Sequence, residues 1–296
     1  MRFMLLYKKR ESAGKHAMYN RILAAINEHF NSEVAARYAL HLARACGAKF
    51  YTCFIAGRPA GGSAFDRAEA AMKRLFILAG KTGVPVESIT ETGDPVTEIR
   101  KIVAHESIDL VFASTRREDA ERRFFSGTIA RSLSLRLPCS VALVRVVHTG
   151  KIHPSTVLVP VKARIGRIKE WASFTSRMAA AFNAKVHVFH VTKPITGFFH
   201  GDVHLTPVEW EERIPPDIAD FLDRLKKNGV AYESRLTPGA IGRSITIEAA
   251  VRRHDLIIMG ASERSLLSSL FKRNPVESVL RETPCDLIIL RPRHED

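Results

Sequence analysis

The chain reads as an α/β protein built from two copies of one domain in tandem, and three observations carry that reading. Its 296 residues are two domains' worth at about 100–200 residues each. The segment Ser132–Arg145, with Leu137-Pro-Cys139 inside it, is answered by Ser278–Arg291, with Thr283-Pro-Cys285, at a displacement of 146 residues. Short β-branched apolar runs alternate with longer amphipathic stretches, the pattern of a parallel sheet covered by helices on both faces.

The repeat organises the rest. At the same displacement Asp109-Leu-Val-Phe-Ala-Ser114 falls on Asp255-Leu-Ile-Ile-Met-Gly260, whereas Arg21–Ile26 answers Thr156–Val161 at a displacement of 135. The difference fits the stretch from Thr192 to Pro216, which carries Pro194, Pro207, Pro215 and Pro216 and reads as an elaborated loop. The expected organisation is an N-terminal extension over 1–18, a first domain over 19–148 and a second over 154–296, with a linker near His148–His153. Met18 is a candidate alternative start.

In the first half, strands are expected at Arg21–Ile26, Lys49–Phe54, Val86–Thr90, Asp109–Ala113 and Val141–Val146. Ser32 is placed as the cap of a helix whose apolar face carries Val34, Ala35, Tyr38, Leu42 and Ala45. A second helix runs from about Ala64 to Ala79, Pro95 suits the first turn of a third, and Leu137-Pro138 ends a fourth. The second half gives strands at Thr156–Val161, Lys185–Val191, Ala231–Leu236, Leu256–Met259 and Leu287–Leu290, with helices at Ile168–Phe182, Asp217–Asn228, Ile241–His254 and Pro275–Arg281.

Composition narrows the function classes. With 46% hydrophobic and 26% charged residues the chain is globular rather than disordered. Cys46, Cys53, Cys139 and Cys285 show neither CxxC nor zinc-type spacing and read as free thiols of a reducing compartment. The apolar part of Met1–Arg10 is too short for a signal peptide, and no segment reaches the length of a membrane span, so a cytoplasmic location is expected. The net charge of +14 is spread over both halves, which suits a basic solvated surface better than a nucleic-acid site.

The order strand, helix, strand, helix, strand, helix, strand, glycine-type loop, helix, Pro-Cys, strand resembles the universal stress protein domain, repeated over nearly the whole chain. The segments Asp255-Leu-Ile-Ile-Met-Gly-Ala-Ser262 and Asn274–Arg291 carry the resemblance most specifically; Ile22-Leu-Ala-Ala-Ile26, Ala45-Cys-Gly-Ala-Lys49 and Leu137-Pro-Cys139 carry it in the first half. The resemblance implies two Rossmann-like domains, each with strand order 3-2-1-4-5 and a topological switch between strands 1 and 4 where ligands sit. It also implies that the fifth strand or its surroundings mediates pairing, so that the two domains form an intramolecular pseudo-dimer, and that chains of this tandem type can pair again as homodimers.

Nucleotide-binding members of that family have an Asp after strand 1 and a Gly-x2-Gly-x9-Gly-Ser/Thr loop after strand 4, whose backbone amides and hydroxyl hold phosphates at a helix N-terminus. In the first half these positions hold Asn27, Ser114, Arg117, Gly127 and Thr128; in the second they hold Lys162, Gly260, Glu263, Arg273 and Asn274. Only Gly127-Thr128 keeps the pattern in the first half, and the second departs further: Lys162 cannot accept a hydrogen bond, and Glu263 would bring negative charge towards phosphates. Arg116, Arg117, Arg122 and Arg123 could replace glycine contacts with charge-assisted ones, though solvated arginines are the plainer reading.

His200, Asp202 and His204 could hold a divalent cation, but no fourth ligand is evident and a polar loop is the simpler reading. Trp210 with Phe198, Phe199 and Pro207 reads as packing of the insertion rather than as a lid. Cys139 and Cys285 suit core positions, and no Cys-His or Ser-His-Asp set assembles. The expected function is therefore a non-enzymatic stress-response or signalling protein with degenerate nucleotide motifs, no cofactor, and a protein partner that the sequence does not name. The alternative is an ATP-binding protein whose first domain works and hydrolyses slowly.

Overall fold

The computed structural model describes residues 3–4, 18–57, 62–115, 128–150, 152–192, 214–261 and 275–293. Its strands are β1 (Phe3–Met4), β2 (Arg21–Ile26), β3 (Lys49–Ala56), β4 (Val86–Thr92), β5 (Leu110–Thr115) and β6 (Ser140–Arg145) in the first half. In the second they are β7 (Thr156–Val161), β8 (Lys185–Thr192), β9 (Tyr232–Pro238), β10 (Leu256–Gly260) and β11 (Asp286–Arg291). The helices are α1 (Phe30–Cys46), α2 (Gly62–Lys81), α3 (Pro95–His105), α4 (Ile129–Arg136), α5 (Ile168–Phe182), α6 (Pro216–Lys227), α7 (Ile241–Val251) and α8 (Pro275–Glu282).

All strands form one sheet in the order β1-β4-β3-β2-β5-β6-β11-β10-β7-β8-β9. Each half contributes five parallel strands in the order 3-2-1-4-5, as the resemblance implies. The fifth strands β6 and β11 mediate the pairing of the halves, as the resemblance also implies, and two details go beyond it. The half-sheets are one sheet, because β6 and β11 pair antiparallel from Val141↔Arg291 to Arg145↔Leu287. The N-terminal extension is not wholly outside the fold: Phe3 and Met4 pair antiparallel with Ser88 and Glu87 and cover the β4 edge.

Local chemistry explains most boundaries. Asp94 caps α3, its carboxylate accepting from the Thr97 N–H at 2.9 Å, and Pro95 takes the first turn. Both first helices end on a left-handed residue, Gly47 (φ 67°) after α1 and Asn183 (φ 52°) after α5. Ser32 is not the cap of α1: the helix begins two residues earlier, with His29 at the cap position. The Ser32 hydroxyl instead donates to the His29 carbonyl at 2.8 Å and accepts the Asn27 N–H at 3.1 Å, the local back-bonding open to a serine in a first helical turn.

The repeated aspartates have a shared task. Asp109 accepts the N–H groups of Asn20 and Arg21, and Asp255 those of Ser155 and Thr156, tying the entry of strand 4 to that of strand 1 in each half. Lys49–Glu87 and Lys185–Glu233 repeat as ion pairs between strands 2 and 3.

The seam is buried and specific. Phe174 of α5 is fully buried, stacks on Phe112 of β5 with ring centroids 6.4 Å apart, and meets Tyr19 edge-on. Glu170 accepts from Tyr19 (2.9 Å) and from Ser140; Asp286 accepts from Tyr38 (2.8 Å) and from the N–H groups of Val147 and His148. Arg291, almost fully buried, crosses the seam to donate to the carbonyls of Leu137 and Cys139 at 2.8 and 2.7 Å. Tyr19, Tyr38, Ser140 and Arg291 thereby find hydrogen-bond partners across the join.

Candidate functional site

In a doubly wound sheet the crevice opens at the carboxyl ends of the strands, where the connection reverses direction. Here that point lies between β2 and β5 in the first half and between β7 and β10 in the second.

The first-half crevice brings Asn27 and Ser114 to one edge. Asn27 follows β2 and is half-buried; its side-chain oxygen accepts the His29 N–H at 2.9 Å, so one acceptor is already spent on the turn into α1. Ser114 is half-buried near the end of β5, opposite Val144 of β6. Thr128 stands at the entrance of α4 and caps it, its hydroxyl oxygen accepting the Arg131 N–H at 3.3 Å. That hydroxyl keeps its hydrogen to donate, and the helix start favours an anion. Arg117 and Gly127, with Arg116, Arg122 and Arg123, lie outside the described residues.

The second-half crevice is built differently. Lys162 is exposed after β7, and Gly260 ends β10 opposite Leu290. The indole of Trp171, on α5, is buried against this point: a Cβ placed on Gly260 would meet its ring carbons at 4.0 Å. Trp171 also stacks on Phe221 of α6, with centroids 6.4 Å apart and planes at 27°. Counting back from the matching helix ends Gly47 and Asn183, the first-half counterpart of Trp171 is Ala35. At matching positions of the two first helices one half thus carries an indole and the other a methyl group. Glu263, Arg273 and Asn274 lie outside the described residues.

Sequence reading missed Trp171, although laying the two halves side by side exposes it as a large residue opposite a small one. It also missed His190, buried at the end of β8, whose Nδ1 lies 2.9 Å from the Val161 carbonyl oxygen beside the same crevice.

The remaining candidates separate cleanly. His200, Asp202, His204 and Trp210 lie outside the described residues, and among the described ones no group of three His, Cys, Asp or Glu side chains could hold a metal ion. Burial pushes the thiols of Cys139 and Cys285 up to about 12, so both stay protonated and neither is a nucleophile at neutral pH. All four cysteines are free. No helix among the described residues is long and apolar enough to cross a membrane.

Two parallel sheets of order 3-2-1-4-5, each with its own switch crevice and joined edge to edge, define a tandem protein of the doubly wound nucleotide-fold class. The universal stress protein family model matches residues 18–145 and again 155–291, and the chain belongs to that family. A universal stress protein of Archaeoglobus fulgidus is similar along its whole length, with 18% identity, 94% of this chain and 100% of that one covered, and a TM-score of 0.62. The cytoplasmic domain of a prokaryotic cation chloride cotransporter is similar at 11% identity, covering 94% of this chain and 97% of that one, with a TM-score of 0.58. An Arabidopsis thaliana family protein with AMP bound is 17% identical over 47% of this chain and 92% of its own, with a TM-score of 0.34. At these identities the likeness concerns fold alone. No curated protein matches the chain.

Proposed function

We propose that the chain is a non-enzymatic, cytoplasmic stress-response protein in which the second domain has given up ligand binding and serves as the rigid partner of the first. The observation that carries this is the Trp171 indole packed at Gly260, where the first half has Ala35. A ligand entering the second crevice would have to displace a buried aromatic ring stacked on Phe221, a cost of several kcal/mol. Lys162 adds to this, since a lysine supplies no acceptor where a base or ribose would donate.

The test is isothermal titration of nucleotide-stripped protein with ATP and Mg²⁺, paired with an assay for phosphate release. At most one nucleotide per chain, without turnover, is expected, and two equivalent sites would overturn the reading. Trp171→Ala should leave the stoichiometry of the wild type unchanged in the first half.

A second reading is favoured by Ala35, which puts no ring where the second half has Trp171, and by Thr128, which caps α4 with a hydroxyl still able to donate. In it the first domain binds ATP through Asn27, Ser114, Gly127 and Thr128, with Arg117 at the phosphates, and hydrolyses it slowly. Saturable one-to-one binding that disappears in Gly127→Arg, with the circular dichroism of the wild type retained, would establish it.

A further inference from the structure

The two ends of the β6–β11 seam are related by the internal repeat but are chemically unlike. At one end a cleft of about 450 Å³ is lined by residues that include Tyr19, Ser140, Glu170 and Arg293, with no histidine among its described lining. At the linker end a cleft of about 490 Å³ is lined by Tyr38, Asp286, Arg253 and three histidines, His148, His153 and His254. Two further imidazoles reach this end: His41 of α1 lies 6.3 Å from the His153 ring, and His187 of β8 lies 4.7 Å from the His254 ring.

His254 is the unusual member. It is 4% exposed, and neither ring nitrogen has a hydrogen-bond partner, a rare state for a buried polar side chain. Its counterpart in the first half is the buried, apolar Ile108, and the counterpart of His187 is Tyr51, which donates to Glu106. The second half has therefore replaced an apolar contact with an ionisable one.

We infer that the linker end of the seam is a proton-operated latch: protonation of His41, His187 and His254, which lie beside the exposed His148 and His153, releases α1, the linker and the start of β10 from one another while the opposite end stays closed. Acids in reach are already committed. Asp286 holds Tyr38 and the N–H groups of Val147 and His148, and Asp255 holds Ser155 and Thr156. Glu233 serves Lys185 and His187, and Glu248 serves Arg235 and Arg252. The other charges facing the cluster are cationic: Arg37 and Arg44 on α1, and Arg252 and Arg253 after α7. Added protons thus meet a carboxylate at His187, beside Glu233, and at His254, beside Asp255, whereas at His41 the charged neighbours are all cationic.

Burial, then His153, then Arg44 and Arg37, holds His41 below its ordinary value, and burial, then His187, holds His254 down at about 4. A base depressed in the folded state contributes stability above its unfolded value of 6.5 and loses it as pH falls towards the folded one. At pH 5 His254 alone would favour the open latch about thirtyfold.

Hydrogen exchange of the full chain at pH 8 and pH 5, corrected for intrinsic rates, reads the latch directly. Peptides covering 38–46, 147–158 and 252–256 should lose protection at least tenfold at pH 5, while those covering 19–23 and 168–172 keep theirs. His153→Gln combined with His254→Ile, the residue of the other half, should retain protection at pH 5. Because His153 is exposed, His153→Gln alone serves if the double variant fails to fold, and it should blunt the acid response. Uniform loss along the chain, or an acid response unchanged in the variants, would overturn the proposal.

Discussion

Glu33 shows how one residue ties two helices together. It is 1% exposed on α1, yet it is charged, because Arg37 one turn on and Arg74 from α2 both donate to it, Arg74 with both Nε and Nη2. Burial pushes its carboxyl up, and the hydrogen bonds from Arg74 and Arg37 outweigh that and leave it below the ordinary carboxylate value. A carboxyl depressed in the folded state stabilises above its unfolded value of 4.5, and that contribution is lost as pH falls below it. Glu33→Gln is expected to cost about 2 kcal/mol at pH 7 and much less at pH 3, as urea titrations at the two pH values would read. The same scale holds the difference between the crevices. Asn27 and Lys162 were visible as departures from an aspartate, but that the second crevice carries an indole required knowing that α5 turns Trp171 inward towards Gly260.

At the scale of elements, helices α1 and α5 do two tasks: each covers its own half-sheet and each packs against the other across the seam. Phe174 is the centre of that contact, and Phe174→Ala should cost about 3–5 kcal/mol, measured by denaturant unfolding. Because the lost contacts include Phe112 and Tyr19 of the other half, this variant should also loosen α1 in hydrogen exchange. A core residue serving one half alone would not do that. The extents of α5 and of the strands were legible from periodicity: Ile168–Phe182 is the helix expected, and β2 and β7 match residue for residue. Strand ends ran longer than expected at β3, β4 and β9, because pairing with a neighbour extends a strand past the point where its own hydrophobic pattern stops. Ser32 misled for a related reason: its side chain reads as a cap, but the backbone turn at Asn27–His29 had already started the helix.

For the whole molecule, the join of the half-sheets decides cooperativity. The β6–β11 ladder lies in the middle of the sheet, and one continuous hydrophobic cluster draws residues from both halves, from Tyr19 and Phe112 to Phe174 and Ile288. The full chain should unfold in a single transition with coincident far-ultraviolet dichroism and tryptophan fluorescence; two separated transitions would show that the seam is weak. A fragment of residues 18–150 exposes the apolar β6 edge, Val141-Ala-Leu-Val144, and is expected to self-associate in sedimentation at micromolar concentration.

Sequence alone determined what is written twice or written locally: the duplication, the alternation of strands and helices, and the place of Pro95 in the first turn of α3. These are legible because periodicity, capping and repetition act between residues near in the chain or at a constant displacement. The tertiary structure alone decided what depends on distant residues meeting: the antiparallel pairing of β6 with β11, the carboxylates Glu170 and Asp286 satisfied from the opposite half, Trp171 against Gly260, and five histidines gathered at one end of the seam. Such contacts leave no periodic trace, because side chains separated by a hundred residues or more meet only once the sheet has set their positions.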